Sequence, residues 1–230
     1  MIKTRIIPIL LWKGPTQVIS KKFDPWRTVG TMDSAVRIYE KREVDELVIL
    51  DIGNRRPRYN NIIRYSSTLF CPLAIGGGVH SLEDIRQLLA SGADKAIVCW
   101  RDLEFVHKAS RKFGAQAITI CLNVGWVLQD CAHTLAKIFE DYGAGEILLQ
   151  SKERDGTMEG YDLGLIEKVA ENVSIPVVAA GGCGTYEHMA EALRAGAHAV
   201  AAGAMFAFTD ATPKGAAQYL AEKGFNVRLT

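Results

Sequence analysis

The chain repeats itself. The stretch IGGGVHSLEDIRQLLASGADKAIV (Ile75–Val98) parallels AGGCGTYEHMAEALRAGAHAVAA (Ala180–Ala202). Gly77, Gly78, Gly92 and Ala93 map onto Gly181, Gly182, Gly196 and Ala197, all at an offset of 104 residues. DELVILD (Asp45–Asp51) likewise echoes GEILLQS (Gly145–Ser151). Such self-similarity marks a supersecondary unit that buries its apolar face only by stacking on its neighbours. Around the repeat, short apolar runs recur at Arg5–Leu11, Glu46–Ile52, Pro72–Ile75, Lys95–Cys99, Ala117–Leu122, Glu146–Gln150, Pro176–Ala179 and His198–Ala202. They are rich in Ile, Val, Leu and Ala without strict alternation, the pattern of parallel strands buried on both faces.

Between the runs lie segments of helical period, among them Ser81–Ser91, Leu163–Asn172 and Tyr186–Ala195. Ser81 reads as an N-cap with Asp84 three residues on, and Gly92 closes the same helix. Eight strand–helix units in 230 residues give about 29 residues per unit. The prediction is an α/β chain folded as one (β/α)8 TIM barrel over residues 1–230, made of two related half-barrels. A doubly wound open sheet is the alternative, but it would not demand that the third and seventh units share a glycine loop.

Composition excludes several classes of function. Lys and Arg number 27 against 26 Asp and Glu, a net charge of +1. Proteins that bind nucleic acid through its phosphates usually carry a marked basic excess, so no nucleic-acid partner is expected. No apolar run approaches the roughly 18 residues of a membrane span, and no signal peptide opens the sequence. Cys71, Cys99, Cys121, Cys131 and Cys183 form no C-x-x-C pair. Each reads as a buried small hydrophobe in a reducing cytoplasm. The histidines lack metal-ligand spacing, so neither a metal nor a cofactor is expected.

Gly76–Gly77–Gly78 and Gly181–Gly182 each follow a strand and precede a helix. Without a Cβ, glycine lets backbone N–H groups approach an anion, and the helix N-terminus adds a favourable dipole. In barrels a phosphate commonly sits between the loops after strands 7 and 8, where Gly203 begins a short extra turn. Tight turns alone would also explain these glycines. Their recurrence at repeat-related positions favours a small molecule with a phosphate at each end.

The residues resemble the cyclase subunit of imidazole glycerol phosphate synthase (HisF). The matching stretches are RIIPIL, VDELVILDI, LAIGGGVHSLED, SGADKA, FGAQA, YGAGEILLQSKERDGTMEGYD, IPVVAAGG and FNVRL, which span almost the whole chain. The resemblance implies a HisH-like glutaminase on the N-terminal face of the barrel. Ammonia would cross the core to phosphate-binding loops at the C-terminal face, which here contain Gly77, Gly78, Gly156, Gly181, Gly182, Gly203 and Ala204. It also implies two acid–base aspartates at the ends of strands 1 and 5, and those positions read Leu11 and Asn123. Leucine cannot transfer a proton and an amide is a poor acid or base, and losing one such group costs about 10²–10⁴ in rate. The expected lysine of the loop after strand 1 reads Ile19, with Lys21 and Lys22 nearby; the hydroxyl residue after strand 4 reads Trp100; the serine after strand 8 reads Ala204. The loop after strand 5 (NVGWVLQD) is short for the family. Asp51, Glu153 and Asp155 remain as acids at the catalytic rim, Asp51 and Asp155 being the candidates for catalysis. Asp155 also reads as a turn-stabilising carboxylate beside Gly156.

At the opposite mouth, Arg5, Glu46, Lys95 and Glu146 carry the family's residues at its ammonia gate, and Asp94 matches an acidic residue at the glutaminase contact. Charges at that end of a barrel also serve stability. An intact gate beside a dismantled cyclase centre is most like the divergent glycosyl-amidation-associated HisF-like proteins (WbuZ type). That likeness implies delivery of ammonia to a sugar amidotransferase in surface-polysaccharide synthesis. Three rivals remain: a cyclase using Asp51 and Asp155, a scaffold that only activates the glutaminase, and a barrel with another small phosphorylated ligand. Trp12–Gly30, carrying Lys13, Lys21, Lys22 and Arg27, is either a solvated loop or a lid over phosphate.

Overall fold

Eight of the strands take the positions of the apolar runs in the computed structural model, which describes residues 3–99 and 102–229. They are β1 (Arg5–Lys13), β4 (Leu47–Asp51), β5 (Leu73–Gly76), β6 (Lys95–Cys99), β7 (Ile118–Val124), β8 (Glu146–Ser151), β9 (Val177–Ala180) and β10 (Ala199–Ala202). Each pairs in parallel with the next, and β10 returns to β1 with Arg5 opposite Ala199, closing the sheet. Outside it alternate α1 (Met32–Lys41), α2 (Tyr59–Ser66), α3 (Leu82–Ala90), α4 (Leu103–Phe113), α5 (Ala132–Asp141), α6 (Leu163–Ala170), α7 (Tyr186–Arg194), α8 (Ala204–Phe208) and α9 (Pro213–Glu222). This is a (β/α)8 barrel.

Side-chain alternation splits the core in two. Leu10, Leu47, Ile49, Ile75, Ile120, Ile147 and Val177 point outward and pack under the helices. Ile7, Ile9, Val48, Leu50, Ala74, Ile97, Cys121, Leu148, Val178, Ala180, Ala199 and Ala201 fill the interior, with Leu11 packed above them. Both faces of the barrel strands are therefore largely covered, which is why most strand sequences lack a regular polar alternate.

The half-barrel repeat is physical. Ser81 accepts from the Asp84 amide at 3.1 Å and Asp84 accepts from the Ser81 amide at 2.8 Å, a capping box that starts α3. Thr185, 104 residues on, caps α7 by accepting from the His188 amide at 3.3 Å. The Leu73 amide donates to the Asp94 carboxylate at 2.8 Å, and the equivalent Val177 amide donates to His198 Nδ1 at 3.3 Å. Gly77 and Gly181 hold φ of +99° and +88°, in the left-handed region that a Cβ disfavours.

The segment Trp12–Gly30 is built rather than loose. After β1, Thr16–Ser20 (β2) and Trp26–Thr31 (β3) form an antiparallel hairpin that pairs with the last residues of β1, Leu11–Lys13, at the C-terminal mouth. The expected loop is thus a two-stranded arm. The cysteines also divide: Cys121 and Cys183 are buried, Cys71 is half-buried, and Cys99 and Cys131 are exposed. Among the described residues no helix is long and apolar enough to cross a membrane.

Candidate functional site

At the N-terminal mouth the four charges meet. Arg5, Lys95 and Glu146 are the first residues of β1, β6 and β8, and Glu46 directly precedes β4. Arg5 donates to Glu46 through one guanidinium nitrogen and to Glu146 through the other. Lys95 Nζ donates to both Glu46 oxygens at 3.0 and 3.1 Å and to Glu146 Oε2 at 2.8 Å. The Thr119 hydroxyl, beside them on β7, donates to Glu146 Oε2 at 3.3 Å. Each carboxylate therefore has two cationic partners, and the Glu46 and Glu146 side chains are only 3% and 8% exposed.

Electrostatics hold this ring charged. Burial pushes the Glu146 pKa upward, but Arg5 and Lys95 outweigh it and leave it below the ordinary carboxylate value. Burial likewise works against the Arg5 cation, and Glu146 and Glu46 more than reverse it. Asp94 lies outside the ring, exposed on the same face, where it holds the first amide of β5.

The C-terminal mouth divides into two regions. In the first, Asp155 and Gly156 from the loop after β8 meet Gly181 and Gly182 after β9 and Gly203 and Ala204 after β10. Leu11, Ile19, Ser20 and Gln150 complete a cavity of about 40 Å³. At about 10–15 Å³ of such space per water, it has room for a few waters or one small anion. The hairpin borders it and is tied to the loop after β8: the Lys22 amide donates to the Asp155 carbonyl at 2.8 Å, and Lys22 Nζ lies 3.6 Å from Glu153. Gly156 packs so tightly on the Ser20 carbonyl that any Cβ there would overlap it. Asp155 accepts from Ser20 Oγ at 2.8 Å and Gln150 Nε2 at 3.0 Å. Burial raises its pKa above the ordinary carboxylate value, against those hydrogen bonds and one from the Phe23 amide.

The second region holds Asp51, Gly77 and Gly78, and none of them lines that cavity. Asp51 accepts from the Gly53 amide at 3.0 Å, Asn54 Nδ2 at 3.2 Å and Arg58 Nε at 2.8 Å. Arg58 also donates to the Gly14 carbonyl and lies over the Trp12 ring at 4.3 Å. The carboxylate is thus a tie between two loops. A Cβ on Gly77 would overlap the Asp51 carbonyl, and one on Gly78 would sit 2.8 Å from the Arg56 backbone. The glycines of both loops admit protein backbone, since a Cβ on Gly181 would sit 2.6 Å from the Ser151 carbonyl oxygen and one on Gly182 2.1 Å from that of Gly160, but only the second pair also lines the cavity. The fold therefore places the two candidate carboxylates apart, and the two glycine loops in different surroundings.

Leu11 packs on the barrel interior, while Asn123 is exposed at the top of β7 and accepts from Cys121 Sγ at 3.5 Å. Trp100 lies outside the described residues. Sequence reasoning missed Thr119, Gln150, Ser20 and Arg58. Gln150 was accessible to it, because it follows Glu146 by four residues and so faces inward on the same strand. Arg58 gave no such signal.

The histidine biosynthesis protein family matches residues 5–212. A Campylobacter jejuni protein, provisionally named imidazole glycerol phosphate synthase subunit hisF2, is 38% identical over 247 aligned positions covering the whole of both chains.

Proposed function

Because the chain belongs to the histidine biosynthesis protein family, we propose that it is a HisF-like ammonia-conducting subunit of a glutamine amidotransferase. In this reading a HisH-like glutaminase docks on the N-terminal face, where Asp94 and the ring of Arg5, Glu46, Lys95 and Glu146 lie. Ammonia enters through the ring and leaves at the C-terminal mouth toward a sugar amidotransferase of surface-polysaccharide synthesis. The carrying observation is the contrast between the mouths: a closed charge ring at one, and Leu11 with Asn123 at the other.

The physical case has three parts. A neutral ammonia molecule needs a path that does not protonate it, and beyond the ring the interior is packed with apolar side chains up to Leu11 and the uncharged amide of Gln150. Ala74, Ala180, Ala199 and Ala201 make that interior thinnest beside β5, β9 and β10. Cyclase chemistry needs an acid and a base across the substrate, whereas this cavity is lined by one carboxylate, the half-buried Asp155. That cavity, with Gly156, Gly181, Gly182, Gly203 and Ala204, suits one phosphate group.

A second reading retains the cyclase. It is favoured by Asp155, whose burial raises its pKa in the direction a general acid requires. Conduction is tested by blocking the core. Ala201→Phe, checked for folding by circular dichroism, should sharply reduce transfer of ¹⁵N from glutamine amide to the sugar, with glutaminase stimulation intact. Unchanged transfer would overturn conduction and leave a scaffold that only activates the glutaminase.

A further inference from the structure

Two cysteines that sequence reading treats as separate apolar fillers come together in the fold. Cys99 ends β6 and Cys121 lies in β7, directly opposite each other in the parallel register. Neighbouring strands run about 4.7–4.9 Å apart, and disulfides span Cα separations of about 4.4–6.8 Å. Inward-facing positions alternate along β6 as Lys95, Ile97 and Cys99, and along β7 as Thr119, Cys121 and Asn123, so both thiols face the barrel axis. Closure of the sheet brings inward-pointing Cβ atoms nearer to each other than their Cα atoms.

The two thiols differ. Cys121 is buried and Cys99 is exposed. The neighbouring Cys121 thiol draws the Cys99 pKa down to about 7, against the effect of burial, while the contact with Cys99 and burial push the Cys121 thiol up. Both border an apolar cavity of about 190 Å³ that includes Leu128, Ala132 and Leu135. Among the described residues no group of three or more His, Cys, Asp or Glu is placed to hold a metal ion. The pair therefore has the layout of an exposed attacking thiol and a buried resolving thiol.

We propose that Cys99 and Cys121 form a peroxide-reactive dithiol at the C-terminal mouth of the barrel, closing to an intrachain disulfide between β6 and β7. The Cys99 thiolate attacks one peroxide oxygen, the O–O bond breaks, and the other oxygen leaves as hydroxide, or as alkoxide from an organic peroxide. Cys99 is then a sulfenic acid. The Cys121 thiol attacks its sulfur, the S–O bond breaks, and the hydroxyl leaves as water with the thiol proton. In total two thiols lose two electrons and two protons, and the peroxide O–O bond is reduced. A thiol reductant reverses the change. This chemistry stands apart from the ammonia-conduction reading, since it uses neither the charge ring nor a partner.

The test treats the folded, reduced protein with limiting hydrogen peroxide, then blocks free thiols and maps the cysteines by mass spectrometry. The expected product is a Cys99–Cys121 linked peptide that dithiothreitol releases. Cys99→Ser should abolish that peptide, and Cys121→Ser should halt at a Cys99 sulfenic acid that dimedone traps. At neutral pH the larger thiolate fraction and the lower intrinsic nucleophilicity nearly offset, leaving Cys99 about threefold faster than an ordinary thiol. Cys71→Ser should leave the linked peptide unchanged. Sulfinic acid at Cys99 with no link to Cys121, or a faster reaction at the other cysteines, would overturn the proposal.

Discussion

Replacing Arg5 by alanine probes the charge ring at its most connected point. Arg5 is one of two cations that neutralise Glu46 and Glu146, and its removal leaves Lys95 alone between two carboxylates that are 3% and 8% exposed. Removing one partner from a fully buried ion pair costs about 3–5 kcal/mol. Arg5 is itself 24% exposed and Lys95 remains, so the lower end applies, about 3 kcal/mol at neutral pH. For a chain of this length that lowers Tm by about 6–12 °C. The sign of the pH dependence follows from linkage. In the parent protein the Glu146 pKa is depressed, so its contribution is present above the unfolded carboxylate pKa and is lost as pH falls through the folded one. In Arg5→Ala Glu146 loses the larger of the two cationic influences that oppose its burial, so it gains a proton more readily than in the parent protein and the variant loses less stability as pH falls. The gap between the two proteins should therefore narrow from about pH 7 to about pH 5. Urea unfolding at both pH values measures it. Adding Glu146→Gln should recover about half of the loss, because it removes the surplus negative charge. A loss below about 1 kcal/mol, equal at both pH values, would place these charges among solvent-screened surface pairs and refute the reasoning.

Other perturbations test the loops. Gly77→Ala sets a methyl group onto the Asp51 carbonyl at φ +99° and should cost about 2–4 kcal/mol in urea unfolding. Gly14→Ala, with φ +61° and open space around it, should cost only about 1 kcal/mol. Ser81→Ala removes one half of the capping box on α3 and should cost about 1 kcal/mol. Asp155 has a raised pKa and so adds stability as pH falls; Asp155→Asn should flatten that slope in thermal melts between about pH 7 and pH 4.

The barrel was legible because its strands are buried on both faces, so each one is written as an unbroken apolar run. The hairpin was not. β3 reads WRTVGT with every residue at least partly exposed, which leaves no apolar signature, and its turn uses left-handed Lys22 and Phe23 rather than glycine. The charge ring was legible because Arg5, Lys95 and Glu146 interrupt apolar runs at their first residues. That the four side chains meet required closure of the sheet. Asp51 and Asp155 show the limit of reading acids by position. Their chain neighbours are plain, but the Arg58 and Ser20 that hold them come from the helix start and the hairpin, which the sequence does not place beside them. The glycine loops were found correctly as backbone features. Which ones face a cavity depends on the loops across from them, Asp51–Arg56 in one half and Ser151–Gly160 in the other. Cys99 and Cys121 are 22 residues apart, and only the strand register pairs them.

The central claim is that this barrel passes ammonia on without making an imidazole ring. Its most direct test supplies the purified protein with the family's doubly phosphorylated ribulosyl nucleotide and saturating free ammonia, and follows imidazole glycerol phosphate. No turnover above the uncatalysed background is the predicted result, with or without a glutaminase. Robust cyclase turnover would contradict the account and return Asp155 to the catalytic role.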